Sequence, residues 1–444
     1  MDPLLTDLYE FTMAAALLAE GRAEAPATFS LFVRRLPPSR GYLVAAGLHE
    51  TVRFLREWRF DDEAVARLGR TAPFEPAFLE WLREVRFTGR VRAVPEGRIV
   101  FANEPLIEVD APFGAAQLLE TVLLNLFTFP TAVTTKAARC REAARGRRLV
   151  DFALRRAHGA DAGMAVARAA VIAGFASTSN VAGADRYGLP ASGTMAHSFV
   201  TAVAGGAAAG ELDAFRAFAE HYRGDPVLLV DTWDTAGGID HAIVVAKELA
   251  AAGRRLAGIR LDCGDVVALA RLARERLDAA GLPDVAVFAS GGLDEYEIAR
   301  LLAAGAPIDG FGVGTNFATS ADSPTLESVY KLVAVDGRPM AKRSTGKATL
   351  PGAKQVWRRP GFGGDVLALA DEADPVPGAE PLLEEVDLTA DAGDAEAMAV
   401  ARDRFEADWS ALPKQYRDLT NPMRYEVEVS DALQALADGS FAPG

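Results

Sequence analysis

At 444 residues, half of them hydrophobic, the chain can bury a large core, and its length fits two or three structural units or one barrel with additions. Its 61 acidic against 47 basic side chains leave a net charge of -14, a poor match for a nucleic-acid backbone, so any bound phosphate must be held by local cations and backbone amides. With only Cys140 and Cys263 it has neither a disulfide framework nor a cysteine-rich zinc site, and both thiols are expected to be free in a reducing compartment.

The opening Met1-Asp2-Pro3-Leu4-Leu5-Thr6-Asp7 has no basic stretch before an apolar core, and Ala-rich runs are broken by Asp, Arg or Gly before reaching membrane-span length. A cytoplasmic protein without a membrane partner is the expectation. Residues 1–85 read as mostly helical. Residues 90–112 read as short strands with turns at Pro95-Glu96-Gly97 and Asn103-Glu104-Pro105.

From about 148 to 314, apolar β-like runs alternate with helical periodicity, the pattern of a parallel sheet with helical crossovers. Strands are expected at 149–153, 172–176, 191–194, 227–231, 258–261, 285–289 and 309–313. Helices are expected at 210–222, 240–252, 265–280 and 294–304. Residues 329–335 could form a strand, the Gly-, Pro- and Asp-rich 361–381 reads as a surface loop, and the C-terminal segment is expected to return to the N-terminal unit. The predicted fold is an α/β protein: an irregular β/α barrel over 111–330, with a second α+β domain built from 1–110 and completed by 331–444.

Active sites of β/α barrels collect where strands end. Here those positions hold Arg155, residues 178–180, His197, Asp231 with Asp234, Asp262 with Asp265, residues 290–292 and residues 314–316. His197 stands in Gly193-Thr-Met-Ala-His-Ser198, an imidazole between hydroxyls; the plainer alternative is a satisfied core histidine. Arg155 could clamp a carboxylate or phosphate with Phe152 or Tyr9 stacking on a ring, or could merely pair with a helix carboxylate. Asp231, after the apolar Val227-Leu-Leu-Val230, is read as the carboxylate that orients His197, and Asp234 as a helix cap. The adjacent second acid of a Rossmann-like ribose-phosphate loop is missing, since Thr232 stands there.

Arg260-Leu-Asp-Cys-Gly-Asp265 puts a cation and two acids at a strand end. Asp262 could bond ribose hydroxyls or reach Mg²⁺ through water, Arg260 could neutralise a carboxylate or diphosphate, and Asp265 is better read as a cap. Gly291 and Gly292, then Gly312, Gly314 and Thr315, sit in the late loops that commonly bind phosphate in such barrels. His49, His158, His221 and His241 have no metal-ligand spacing, so no tightly held structural metal is expected.

The segments Leu5-Thr-Asp-Leu-Tyr-Glu-Phe-Thr-Met13, Thr178-Ser-Asn-Val-Ala-Gly183, Gly193-Thr-Met-Ala-His-Ser198, Arg260-Leu-Asp-Cys-Gly-Asp265, Gly312-Val-Gly-Thr315 and Tyr330-Lys-Leu332 together resemble the nicotinate phosphoribosyltransferase family, a type II phosphoribosyltransferase. The resemblance implies condensation of nicotinate with phosphoribosyl pyrophosphate to nicotinate mononucleotide and pyrophosphate, in NAD biosynthesis, with ATP as co-substrate and Mg²⁺ carried by the diphosphates. It implies that His197 is transiently phosphorylated, and that Tyr9, Phe152, Arg155, Thr194, Ser198, Arg260 and Asp262 line the ring and ribose sites. Tyr9 would come from the neighbouring subunit of a homodimer. Thr178 and Ser179 are further substrate-binding candidates. Nicotinamide-using relatives carry an acid where this chain has Ser179; a carboxylate there would repel nicotinate. The family usually has Ser where this chain has Cys263, which raises the expectation of sensitivity to oxidation. The rivals are a nicotinamide- or quinolinate-using enzyme and a catalytically silent nucleotide-binding barrel.

Overall fold

The structure, a computed structural model, describes residues 1–342, 349–373, 375–390 and 392–441. It divides into a unit made from both chain ends, Met1–Thr135 with Ser323–Gly444, and a unit over Lys136–Asp322. These boundaries differ from the 110/111 and 330/331 expected from sequence, for a physical reason. Thr135 Oγ1 accepts the amide of Val44 at 2.9 Å, and strand Ser328–Val335 pairs antiparallel with Pro26–Val33, so both segments are tied to the first unit.

That unit is α+β. Its larger sheet runs in the order Arg338–Pro339, Ser328–Val335, Pro26–Val33, Pro105–Pro112, Arg90–Ala93, Glu384–Glu385, and its pairings are antiparallel. Leu31 faces Tyr330 on one side and Ile107 on the other, and all three are buried. The expectation of a mostly helical N-terminus holds for Leu8–Ala19, Leu48–Glu57, Asp62–Thr71 and Pro76–Glu84 but misses Pro26–Val33. Its sequence, Pro-Ala-Thr-Phe-Ser-Leu-Phe-Val, concentrates the β-branched and aromatic residues that suit a sheet interior.

A smaller sheet is ordered Glu380–Pro381, Lys354–Arg358, Asp365–Leu369, Val427–Val429. The surface loop expected at 361–381 is therefore corrected over 365–369: this strand pairs antiparallel with Lys354–Arg358. Asp365 can be buried in it because Arg358 Nη2 donates to its carboxylate at 2.7 Å.

The second unit carries six parallel strands in the order Ser177–Thr178, Arg148–Asp151, Gly310–Val313, Ala286–Ala289, Gly258–Leu261, Val227–Leu229, an open half-barrel. Helices Thr235–Ala251, Val266–Ala279 and Glu295–Ala303 connect the last four in sequence, each started by an aspartate, Asp234, Asp265 or Asp294, that accepts amides of the first turn. Leu228, Leu229, Ile259, Leu261, Val287, Phe311 and Val313 are buried with at most negligible exposure, as strands covered on both faces require.

Two expected strands are corrected. Residue 172 ends the helix Ala160–Ile172, the chain turns at Gly174 with φ 77°, and the strand is Ser177–Thr178. A short apolar run does not distinguish a buried helix end from a buried strand. Of 191–194, only Ala191 forms a bridge, to Thr178. Among the described residues no helix is long and apolar enough to cross a membrane.

Candidate active site

The strand ends of the half-barrel gather most of the expected residues. After Arg148–Asp151 comes Phe152, whose amide donates to Val313 O at 2.8 Å, and then the single-turn helix Leu154–Arg156 with Arg155 exposed. Arg155 makes no hydrogen bond or ion pair among the described residues, so the helix-carboxylate partner considered for it is not found there. Asp151 is buried. It accepts the Ala153 amide at 2.8 Å and the Thr178 hydroxyl at 2.6 Å, and its pKa is raised chiefly by desolvation.

Thr178 is fully buried; its hydroxyl donates to Asp151 and accepts the Asn180 amide at 3.0 Å, so it braces the loop. Asn180, the last of the rim residues 178–180, accepts the Gly183 amide and starts helix Val181–Tyr187. Ser179 between them is half-buried, with its amide donating to Asp151 O at 2.8 Å.

His197 opens the helix His197–Val203 and is half-buried; Ser198 beside it is exposed and Thr194 half-buried. Its Nδ1 lies 3.2 Å from Thr232 Oγ1. The carboxylate of Asp231 does not serve His197: its Oδ2 accepts the amides of Asp262 and Cys263 at 2.7 and 2.8 Å. A carboxylate two residues beyond the strand Val227–Leu229 reaches sideways to the adjacent strand end, where two orphan amides converge, and the expected His-Asp pair is replaced by a His-Thr pair. Asp231 Oδ1 is buried with no hydrogen-bond partner among the described residues. Thr232 could have been found by the same strand-end criterion that selected Asp231.

Arg260 joins the pieces. Its Nη2 donates to Met195 O at 3.1 Å, two residues before His197, and its guanidinium carbon lies 5.7 Å from the centroid of the Phe152 ring. Its Nε is buried without a partner among the described residues. Burial lowers its pKa, with Arg155 adding to that effect and Asp262 and Asp231 opposing it. An anionic ligand would add to the partial compensation that Asp262 and Asp231 give this buried charge. Asp262 Oδ1 accepts the Ser290 hydroxyl, a contact that makes Ser290 part of the site.

The expected phosphate glycines divide by role. At Gly312 a Cβ would come within 2.4 Å of the Phe152 ring, so this glycine makes room for the aromatic plate and is buried rather than facing a phosphate. Gly291, at φ 89°, would put a Cβ 2.1 Å from Asp262 O, and Gly314 would put one 3.2 Å from Phe152 O. Gly292 and Thr315 are exposed, and Asn316 Nδ2 donates to Gly292 O at 3.0 Å, tying the two loops together. Tyr9 lies in the other unit, 47% exposed on helix Leu8–Ala19.

Two of the other histidines are satisfied elsewhere: His49 Nε2 with Asp394 at 2.7 Å and His241 Nδ1 with Glu211 at 2.9 Å. Cys140 is buried and Cys263 exposed, both free. A hydrogen bond to Asp231, followed by burial, raises the Cys263 pKa, so this exposed thiol carries less thiolate than a free cysteine. Alkylation of Cys263 by iodoacetamide, followed by mass spectrometry, is expected to be slower at pH 7 than that of a free cysteine peptide. Its rate should keep rising at pH values where the peptide's has levelled off.

The site's geometry can be set beside known proteins. Residues 4–128 match the nicotinate phosphoribosyltransferase N-terminal domain model, and residues 147–352 match the nicotinate phosphoribosyltransferase family model. A nicotinate phosphoribosyltransferase of Mycobacterium tuberculosis is 47% identical over 97% of this chain and 92% of its own length. The chain belongs to the nicotinate phosphoribosyltransferase family. The human nicotinate phosphoribosyltransferase is 35% identical over 99% of this chain and 97% of its own length. The crystal structure of the human nicotinic acid phosphoribosyltransferase superposes with a TM-score of 0.85 at 33% identity, covering 98% of this chain and all of the human one. The α/β class with a barrel-like catalytic unit is thus shared with this solved member of the family.

Proposed function

We infer that this member of the family condenses nicotinate with phosphoribosyl pyrophosphate, releasing pyrophosphate and forming nicotinate mononucleotide for NAD biosynthesis, and that ATP drives it by phosphorylating His197. The observation that carries the reading is one strand-end cluster in which Arg260 donates to Met195 O in the His197 segment and lies over the Phe152 ring. An aromatic plate suits the pyridine ring, and the under-compensated guanidinium suits its carboxylate or the donor's diphosphate.

The reaction displaces pyrophosphate from the ribose carbon through an oxocarbenium-like state, so the protein's work is to position the ring nitrogen and stabilise the departing charge. Mg²⁺ brought in by the diphosphate would supply part of that charge; the Oδ1 of Asp231, unpaired among the described residues, and the Asp262 carboxylate are oxygen acceptors suited to its bound waters. Phosphate on His197 adds negative charge beside Arg260 and reorders the site. Tyr9 is assigned to the ring site of the neighbouring subunit in a homodimer, and the free thiols fit a cytoplasmic setting.

Ser179 favours nicotinate over nicotinamide, because it places no carboxylate where the substrate's own carboxylate must lie. A product assay with radiolabelled nicotinate or nicotinamide, with and without ATP and phosphoribosyl pyrophosphate, tests the reading. The expected result is pyrophosphate release with nicotinate and stimulation by ATP. Turnover of nicotinamide instead would select the rival substrate, and no turnover with either would select the silent barrel.

A further inference from the structure

We propose that Thr232 is the positioning residue for His197, holding the imidazole by its Nδ1 edge and leaving Nε2 as the nitrogen that takes the phosphoryl group. The proposal rests on the phosphohistidine reading above. His197 Nδ1 lies 3.2 Å from Thr232 Oγ1, and that contact is the only hydrogen bond either side chain makes among the described residues.

Both ends of this contact are held from outside it. On the threonine side, Asp231 is clamped to the amides of Asp262 and Cys263, and Asp234 accepts the Gly237 amide at 2.8 Å to start helix Thr235–Ala251. Thr232 therefore lies between two residues whose side chains are pinned to backbone, which fixes the hydroxyl in space. On the histidine side, the Arg260 guanidinium holds Met195 O, and the helix His197–Val203 begins directly at the imidazole. Neither anchor uses the hydroxyl or the ring, so the pair is free to serve chemistry.

A hydroxyl suits this place better than the carboxylate expected from sequence. It accepts the Nδ1 hydrogen in the form whose Nε2 lone pair attacks, and it holds the ring without bringing a second negative charge toward an incoming triphosphate. The step balances simply. The Nε2 lone pair forms the N–P bond to the γ-phosphorus of ATP, the bond from that phosphorus to the β,γ-bridging oxygen breaks, and ADP leaves with the electron pair. The Nδ1 proton stays on the ring, against Thr232 Oγ1.

The test compares the full-length wild type with Thr232→Val, which keeps the shape without the hydroxyl, and Thr232→Ser, which keeps the hydroxyl without the methyl. Rapid-quench labelling with γ-³²P ATP measures the rate of phosphoenzyme formation, and ¹⁵N NMR of histidine-labelled protein reads the hydrogen bond at His197 Nδ1 without any ligand. The expected result is phosphorylation slowed about tenfold or more in Thr232→Val with the KM for ATP little changed, substantial recovery in Thr232→Ser, and a displaced His197 Nδ1 resonance in Thr232→Val only. Wild-type phosphorylation with Thr232→Val equally fast, or a Thr232→Ser variant as slow as Thr232→Val, overturns the role of Thr232 and leaves the phosphohistidine intact. A wild type that forms no phosphohistidine overturns both readings, and that arm separates the two failures.

Discussion

Replacing His197 with alanine is expected to abolish the acid-labile phosphoenzyme and, with it, the response of nucleotide formation to ATP. The side chain is half-buried, its one hydrogen bond among the described residues is to Thr232, and it opens a short helix in which alanine is well tolerated, so the fold should survive. What disappears is the nucleophile. Without it, ATP hydrolysis has no covalent route into the site, and the charge that phosphate would bring beside Arg260 never arrives. Coupling of this kind typically changes substrate affinity on the order of 10- to 100-fold, so KM values for nicotinate and phosphoribosyl pyrophosphate that differ by that factor with and without ATP in the wild type should coincide in His197→Ala. Steady-state kinetics of both proteins, with parallel ³²P labelling, check this. A variant still accelerated by ATP would remove His197 from the coupling.

Much of this site was legible in the sequence because a parallel sheet imposes a simple rule: strands buried on both faces read as apolar runs, and the polar residues that follow them are the rim. Val227-Leu-Leu-Val230 and Gly258-Ile-Arg-Leu261 are such runs, and the residues just beyond them, Asp231 and Asp262, stand in the site. The rule identifies positions but not partners. It gave no way to know that Asp231 turns toward the neighbouring strand's amides while Thr232 turns toward His197, because that choice depends on which orphan donors lie within reach. It also failed where apolar content was shared by two structures. Ile172 closes an Ala-rich helix whose interior is as apolar as a strand, and Ala191 makes a single bridge too short to show a period. Gly312 illustrates a third limit. A glycine near a late strand suggested a phosphate, yet its space is filled by the Phe152 ring, a contact between residues 160 positions apart that no local pattern encodes.

Asp231 separates a structural from a chemical role within one carboxylate, and two substitutions should divide them. Oδ2 holds the amides of Asp262 and Cys263, whereas Oδ1 is buried and unpaired among the described residues. Asp231→Ala removes both oxygens. It leaves two amides unsatisfied, costing roughly 2 kcal/mol and lowering Tm by about 4–8 °C, and it frees the loop that carries Asp262. Asp231→Asn keeps one carbonyl oxygen to accept those amides, so Tm should stay near the wild-type value. The amide would turn its NH₂ toward the place of Oδ1, replacing an anionic acceptor by a neutral donor. If Oδ1 accepts from a ribose hydroxyl or an ion-bound water, kcat/KM for phosphoribosyl pyrophosphate should fall about 10- to 100-fold in Asp231→Asn, the worth of one hydrogen bond to a charged group. Differential scanning calorimetry and donor-titration kinetics read the two effects independently. An Asn variant that melts like wild type and turns over like wild type would assign the whole of Asp231 to holding the loop, and the donor's ribose and diphosphate would then rest on Asp262, Arg260 and the Gly291-Gly292 turn.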